Sequence, residues 1–190
     1  MHKNTCLFFL IILTFISAYS QENESYDLQI SFLGMAKNHK IDYLKNHEKI
    51  LLIVKKQTSI RKFSKVDSVK LIRLLQAKTS DSKKELVKIL EDYKEYKSDT
   101  LVLKQDDLII NKVDTFVRNW NKIKKDLDMN PDKRIIIDGY TVKLSLAQNH
   151  QNHEIIFVRA PTKKSHSKIY TLISDLENYY KNEIKNPIID

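Results

Sequence analysis

Apolar residues at Ile109, Val113, Phe116, Trp120, Ile123 and Leu127 follow one another at steps of four, three, four, three and four, the most regular helical stripe in the chain. The stripe spans under three heptads, so it predicts one core-facing helix that stops before Pro131 and not a partner-binding coiled coil. From Ser64 to about Lys78, Val66, Val69, Ile72 and Leu75, with Leu71 and Leu74 beside them, predict an amphipathic helix with those side chains inward. The polar run Thr79-Ser80-Asp81-Ser82 breaks it. Ser82 and Glu85 then form a capping box, in which two side chains satisfy unpaired amides, and a second helix is expected to run from there to near Ser98 and Asp99. Its inward face is Leu86, Leu90 and Tyr93, flanked by Ile89 and Tyr96. Ser167 caps a last helix with Ile169, Leu172, Ile173, Leu176, one of Tyr179 and Tyr180, and Ile184 inward; Pro187 lies beyond its end.

Other segments carry strand patterns. Lys49 to Val54 is short, apolar and partly β-branched, which predicts a central strand covered on both faces. Arg134 to Ile137, the pair Asp138-Gly139, and Tyr140 to Leu146 read as two strands about a two-residue turn, since both turn positions need positive φ. A polar loop, Gln148 to His153, leads to a third strand, Glu154 to Arg159, ended by Pro161. Residues 26–37 fit either a strand, through Leu28, Ile30 and Phe32, or a helix, through Leu28, Phe32, Met35 and Ala36. Leu101 to Leu103 is too short to assign. The expectation is an α+β fold: a small, mainly antiparallel sheet, made of a three-stranded C-terminal meander and at least one further strand, packed by three to four helices.

The start of the chain reads differently. Lys3 precedes an apolar run from Cys6 to Ala18 that is shorter than the roughly 20 residues a membrane span needs. Ala18 and Ser20 stand where a signal peptidase accepts small residues, so residues 1–20 are expected to be a signal peptide cut between Ser20 and Gln21, and residues 21–190 a single α+β domain. That places the protein in the periplasm or outside the cell, with no integral span after cleavage. The only cysteine, Cys6, leaves with the leader, which excludes disulfides, thiolate metal sites and a cysteine nucleophile. Two glycines in 190 residues exclude P-loop and Rossmann phosphate sites, which need several at fixed spacing. Without Lys3 the chain counts 32 Lys and Arg against 24 Asp and Glu, a net +8 spread thinly enough to read as a solubilising surface. The order of leader, Ile137-Asp138-Gly139 turn, third strand, Pro161 and a final helix bearing Leu and Tyr is similar to that of uncharacterised exported proteins of Bacteroidetes-type bacteria, over residues 134–184. Gln21 at the cut and the Lys, Asn and Ile bias resemble them too, although Tyr140 stands where a Thr or Ser is expected. The resemblance implies provenance and no activity.

Candidate chemistry is sparse. His150, His153 and Glu154 supply two imidazoles and a carboxylate, a zinc set if they converge, yet the segment reads as a hairpin tip where zinc proteases place such residues on a helix. His39 and His47 join them only through tertiary structure. The S-x-x-K matches at Ser59 to Lys62 and Ser165 to Lys168 lack the partner motifs of a serine site, and Asp106-Asp107 reads as a helix start. Lys163, Lys164 and Lys168 make a basic loop before a helix, with Lys122, Lys124 and Lys125 a second cluster; without interleaved aromatics they do not point to nucleic acid. No cofactor motif is present. The sequence therefore favours an exported binding or interaction domain, with a protein or an anionic envelope component as partner, over two alternatives: a metal-dependent hydrolase built on His150, His153 and Glu154, and a structural envelope protein or inhibitor.

Overall fold

The computed structural model describes residues 25–34, 37–134, 139–148 and 153–189. Among them are five helices and one six-stranded, wholly antiparallel sheet. In chain order the elements are β1 (Tyr26–Leu33), β2 (His39–Lys45), β3 (Ile50–Ile60), α1 (Lys65–Ala77), α2 (Ser80–Asp92), β4 (Lys94–Leu103), α3 (Leu108–Arg118), α4 (Trp120–Met129), β5 (Thr141–Gln148), β6 (Glu154–Arg159) and α5 (Ser167–Glu183). Across the sheet the strands run β4-β3-β2-β1-β5-β6. The first four form a meander, with α1 and α2 inserted between β3 and β4. The segment holding α3 and α4 then carries the chain from the β4 edge back to β1, where β5 pairs, and β6 follows by a hairpin.

The ambiguity at residues 26–37 is resolved in favour of a strand for Tyr26–Leu33. Tyr26, Leu28, Ile30 and Phe32 alternate inward, and the strand is paired on both edges, to β2 and to β5. One face of the sheet is apolar and closed: Leu28, Ile30, Ile41, Tyr43, Leu52, Val54, Leu144 and Leu146 lie under Val113, Phe116, Trp120, Ile169, Leu176 and Tyr180 of the helices. The stripe of residues 109–127 is thus core-facing, although Asn119 divides it into two helices. The Asn119 amide bonds back to the Thr115 and Phe116 carbonyls, and its side-chain amide to Thr115 O at 2.8 Å, closing the first helix before the second begins.

Four expectations are corrected. Residues 50–54 form a strand, but Leu51 and Ile53 on its second face are only half-buried, so that face is not covered as the first is. The second helix begins at Ser80 with Thr79 as cap, its hydroxyl accepting from Ser82 N at 3.1 Å, while Glu85 pairs with Lys70 instead of closing a capping box. That helix ends at Asp92, and residues 94–98 continue as β4 because β3 offers them a ladder from Ile60 back to Ile50, with one register shift between Gln57 and Ser59. The neighbour of β5 opposite β6 is β1, a strand more than 100 residues earlier, so the edge expected for the Arg134–Ile137 strand is already taken. Residues 135–138 of that expected hairpin lie outside the described residues, as does the expected leader.

The inward face of α1 also differs. Leu71 is buried and Leu74 half-buried, whereas Val66, Val69, Ile72 and Leu75 face solvent. The i, i+3 row and the neighbouring Leu71–Leu74 row are equally apolar, and only the docking of α1 beside α2 and Tyr93 decides between them. This arrangement sets a contrast. Leu144→Ala should lower unfolding stability by about 2–5 kcal/mol, a core-cavity cost, and Ile72→Ala should stay within about 0.5 kcal/mol of the parent. Urea midpoints at constant slope measure both. Equal losses would mean that α1 buries its Ile72 row.

Candidate functional site

The helical layer closes over the core, but the flanks of its helices stand apart above it. Between α3–α4 and α5 runs a cleft of about 760 Å³, floored by Phe116, Ile123 and Leu172 and walled by Asn111, Thr115, Asn119, Thr171 and Asp175. A second cleft of about 410 Å³ shares Ile123, Ser167 and Lys168 with the first and extends it toward Asn130, Ser165 and His166. Local sequence explains the opening. Asn111, Thr115 and Asn119 stand at i, i+4 and i+8, and Lys168, Thr171 and Asp175 at i, i+3 and i+7, so each helix turns a polar strip toward the other just above its apolar stripe. Lys112 Nζ to Asp175 at 2.9 Å, and Lys168 Nζ to Asp126 at 3.5 Å, tie the two walls together. The break at Asn119 keeps α4 from continuing the line of α3 along α5.

At the α5 end, Thr162 and Ser165 exchange hydrogen bonds, Ser165 N to Thr162 Oγ1 at 3.1 Å and Thr162 N to Ser165 Oγ at 3.2 Å, which fixes the loop before the helix. His166 occupies the cap position, with its Nδ1 against Ser165 Oγ at 2.9 Å. Burial holds the His166 imidazole below its ordinary range, the nearby Asp132 carboxylate opposing and Arg134 adding to that effect. It is therefore mainly neutral at pH 7, able to give or accept one hydrogen bond. The cleft thus offers an apolar floor, hydroxyls and amides along its walls, and at one end Lys168, a neutral imidazole and the Asp126 carboxylate.

A second polar cluster lies on the other flank of α5. Glu177 Oε1 accepts from Lys37 Nζ at 2.5 Å and from His39 Nε2 at 3.0 Å, with the Lys37 ammonium 4.6 Å from the Phe32 ring centroid. Burial alone would raise the Glu177 carboxyl, but the His39 and Lys37 hydrogen bonds outweigh it and hold the group below the usual carboxylate range. The chain's two glycines meet beside this cluster. Gly34 has φ of +122°, and a Cβ there would stand 3.4 Å from the Gly139 carbonyl oxygen and Tyr140 Cα. A third cluster sits at the opposite end of β1, where Asp114 accepts from Tyr26 OH at 2.6 Å and Lys45 Nζ at 2.8 Å. The neighbouring Tyr43 hydroxyl is buried with no hydrogen-bond partner among the described residues.

The residues singled out by sequence are dispersed. His153 turns to the open face of the sheet, its Nδ1 3.0 Å from Ser145 Oγ, while Glu154 turns to the helical face, accepting from Trp120 Nε1 at 3.0 Å and Lys124 Nζ at 3.3 Å. The two neighbours therefore diverge, and His150 lies outside the described residues. Among the described residues no three His, Cys, Asp or Glu side chains gather as a metal site. His39 is committed to Glu177, and His47 is exposed beside Ser25. Ser59 bonds to Glu95, and Asp107 accepts from Lys104 N at 2.7 Å and Tyr179 OH at 2.9 Å. Of the tyrosine pair, Tyr180 is the buried member; burial and the Asp99 carboxylate it donates to push its phenol up to about 12. Ser20 and Gln21 lie outside the described residues. Sequence reasoning missed the cleft and the Glu177 cluster. The polar strips beside two strong apolar stripes were the available signal for the first; the second joins residues about 140 apart and left none.

No protein-family model, curated protein or solved structure matches this chain. Among the described residues no helix is long and apolar enough to cross a membrane.

Glu177 gives a pH signature. Its folded value is depressed below the ordinary 4.5, so its stabilisation is complete above that pH and is lost as pH falls through the lower folded value. Glu177→Gln should cost about 1–3 kcal/mol at pH 7 and should flatten the acid limb of the stability curve that the parent shows. Thermal midpoints from neutral pH into this acid range, compared between the two proteins, test it; parallel curves would remove Glu177 as a source of acid sensitivity.

Proposed function

We propose that this chain is an exported binding domain that holds an elongated amphipathic ligand in the cleft between α3–α4 and α5. The observation that carries the reading is the combination found there: a cleft bedded on the largely buried side chains of Phe116, Ile123 and Leu172, hydrogen-bonding walls, and Lys168 at one end. Ligand clefts of a few hundred cubic ångströms commonly pair such an apolar bed with a few convergent polar groups. The shared residues Ile123, Ser167 and Lys168 make the two clefts one path, which favours a long molecule over a compact one. Its apolar body would lie along Phe116 and Leu172, and an acidic head would reach the uncharged His166 and take Lys168 from Asp126, which stands 3.5 Å away.

Binding, as opposed to catalysis, is favoured because Lys112 and Asp175 pair across the walls at 2.9 Å, which suits holding them at a fixed spacing. The expected leader, and the resemblance to exported bacterial proteins, support a site of action beyond the cytoplasm.

A dansylated undecanoic acid is a suitable probe. Its fluorescence should rise saturably with the parent protein. Thr171→Trp, which fills the cleft from an exposed wall position, should abolish the rise, and Lys168→Glu should weaken binding about tenfold, the size of one charged hydrogen bond. Retention of full binding by folded Thr171→Trp would remove the cleft as the site.

A further inference from the structure

A different surface, away from the cleft, exposes apolar side chains. The hairpin of α1 and α2 exposes Val66, Val69, Ile72 and Leu75 by 77%, 49%, 56% and 62%. Each is three residues from the next, so they form one continuous ridge. An aliphatic ridge left in water on a chain that otherwise buries a large core points to an interaction surface.

Charge identifies what fits it. Residues 61–92 hold nine Lys and Arg against five Asp and Glu, so +4 of the chain's +9 falls in this short stretch. On the helical period Lys65 and Arg73 project between members of the ridge, and both are exposed. The one acid of α1, Asp67, is turned away, held by the Ser64 hydroxyl at 2.6 Å and by Tyr93 OH. Lys70 and Lys84 are paired with Glu85 and Asp81, whereas Arg73, Lys65, Lys83 and Lys88 have no carboxylate within 4 Å among the described residues. The outer half of α1 therefore combines aliphatic and cationic side chains without an anion.

We propose that this face lies on an anionic phospholipid surface, with the ridge seated among the headgroups and Lys65 and Arg73 reaching phosphates. A helix that docks in a protein groove aligns its anchors in a narrow stripe at mixed three- and four-residue steps. Here every step is three, so the ridge winds around half of the helix, which matches a flat interface better than a groove. A second copy would bring an equally basic hairpin against this one. The long Lys and Arg stems can lie along the aliphatic bed while their charges stay at phosphate depth. The contact is peripheral and independent of the α3–α5 cleft.

The test uses the processed chain recovered after export, sedimented with vesicles of phosphatidylglycerol and phosphatidylcholine or of phosphatidylcholine alone. Sedimentation is expected only with the anionic vesicles and should weaken as salt rises. Lys65→Ala and Arg73→Ala should each lower partitioning about fivefold. Ile72→Asp with Leu75→Asp should lower it at least about tenfold, with helical content unchanged by circular dichroism, and Thr171→Trp should leave it unaltered. Failure of the folded parent to sediment with anionic vesicles would overturn the proposal. So would binding that survives Ile72→Asp with Leu75→Asp, and so would binding that responds to Thr171→Trp, since that would place it in the cleft. Competition by polyglutamate with no sensitivity to the ridge substitutions would assign the basic hairpin to an acidic polypeptide instead.

Discussion

One apolar sheet face, covered from one side, is the constraint on which the rest of the molecule depends. Leu28, Ile30, Ile41, Leu52 and Leu144 are fully buried on that face, and α3, α4 and α5 supply nearly all of the helical cover. Because burial near room temperature scales with apolar area removed from water, these three helices must press their stripes onto the sheet. Their polar flanks then meet one another above it, which is where the cleft opens. The α1–α2 hairpin lies outside this layer and contributes only Leu71 to the buried aliphatics, so its outer surface is released from the demands of the core. The second sheet face is held by polar pairs such as Lys55 Nζ to Asp42 at 2.6 Å, a diagonal cross-strand contact.

The local part of this architecture was legible in the sequence. The stripe at 109–127, the last helix from Ser167, the strand at 50–54 and the alternation of Val142, Leu144 and Leu146 follow from side-chain period alone, and the structure forms each. What failed was pairing at a distance. Leu28, Ile30 and Phe32 fit two periods until β2 and β5 flank them, and β2 was hidden because Asp42 interrupts its apolar run, although Asp42 belongs to the other face and is paired there. Residues 94–98 have the composition of a helix and become strand through the ladder with β3. On α1 two apolar rows compete, and the period cannot say which one meets the neighbouring helix.

The candidate site was legible in a weaker sense. Polar strips on α3 and α5 follow from the same period as the stripes, but that they face each other depends on the break at Asn119 and on the path of the chain from β6 into α5. The adjacency of His153 and Glu154 in sequence suggested convergence, and strand geometry works against it, because neighbours in a strand point to opposite faces. Glu177, Lys37 and His39 illustrate the complement: residues of ordinary appearance, far apart in the chain, become a half-buried ionic cluster once β2 passes beneath α5.

The central position of β1 has a consequence for how the protein is made. This strand is synthesised before the other five strands of the sheet, yet one of its edges stays bare until Thr141–Gln148 has been made. A nascent chain up to that point holds a meander with an exposed row of amides and carbonyls along Leu28 and Ile30, a template for mispairing. Completing the sheet late is harmless to a polypeptide kept unfolded until its last third is available, so the strand order itself favours a route in which folding waits for the whole chain.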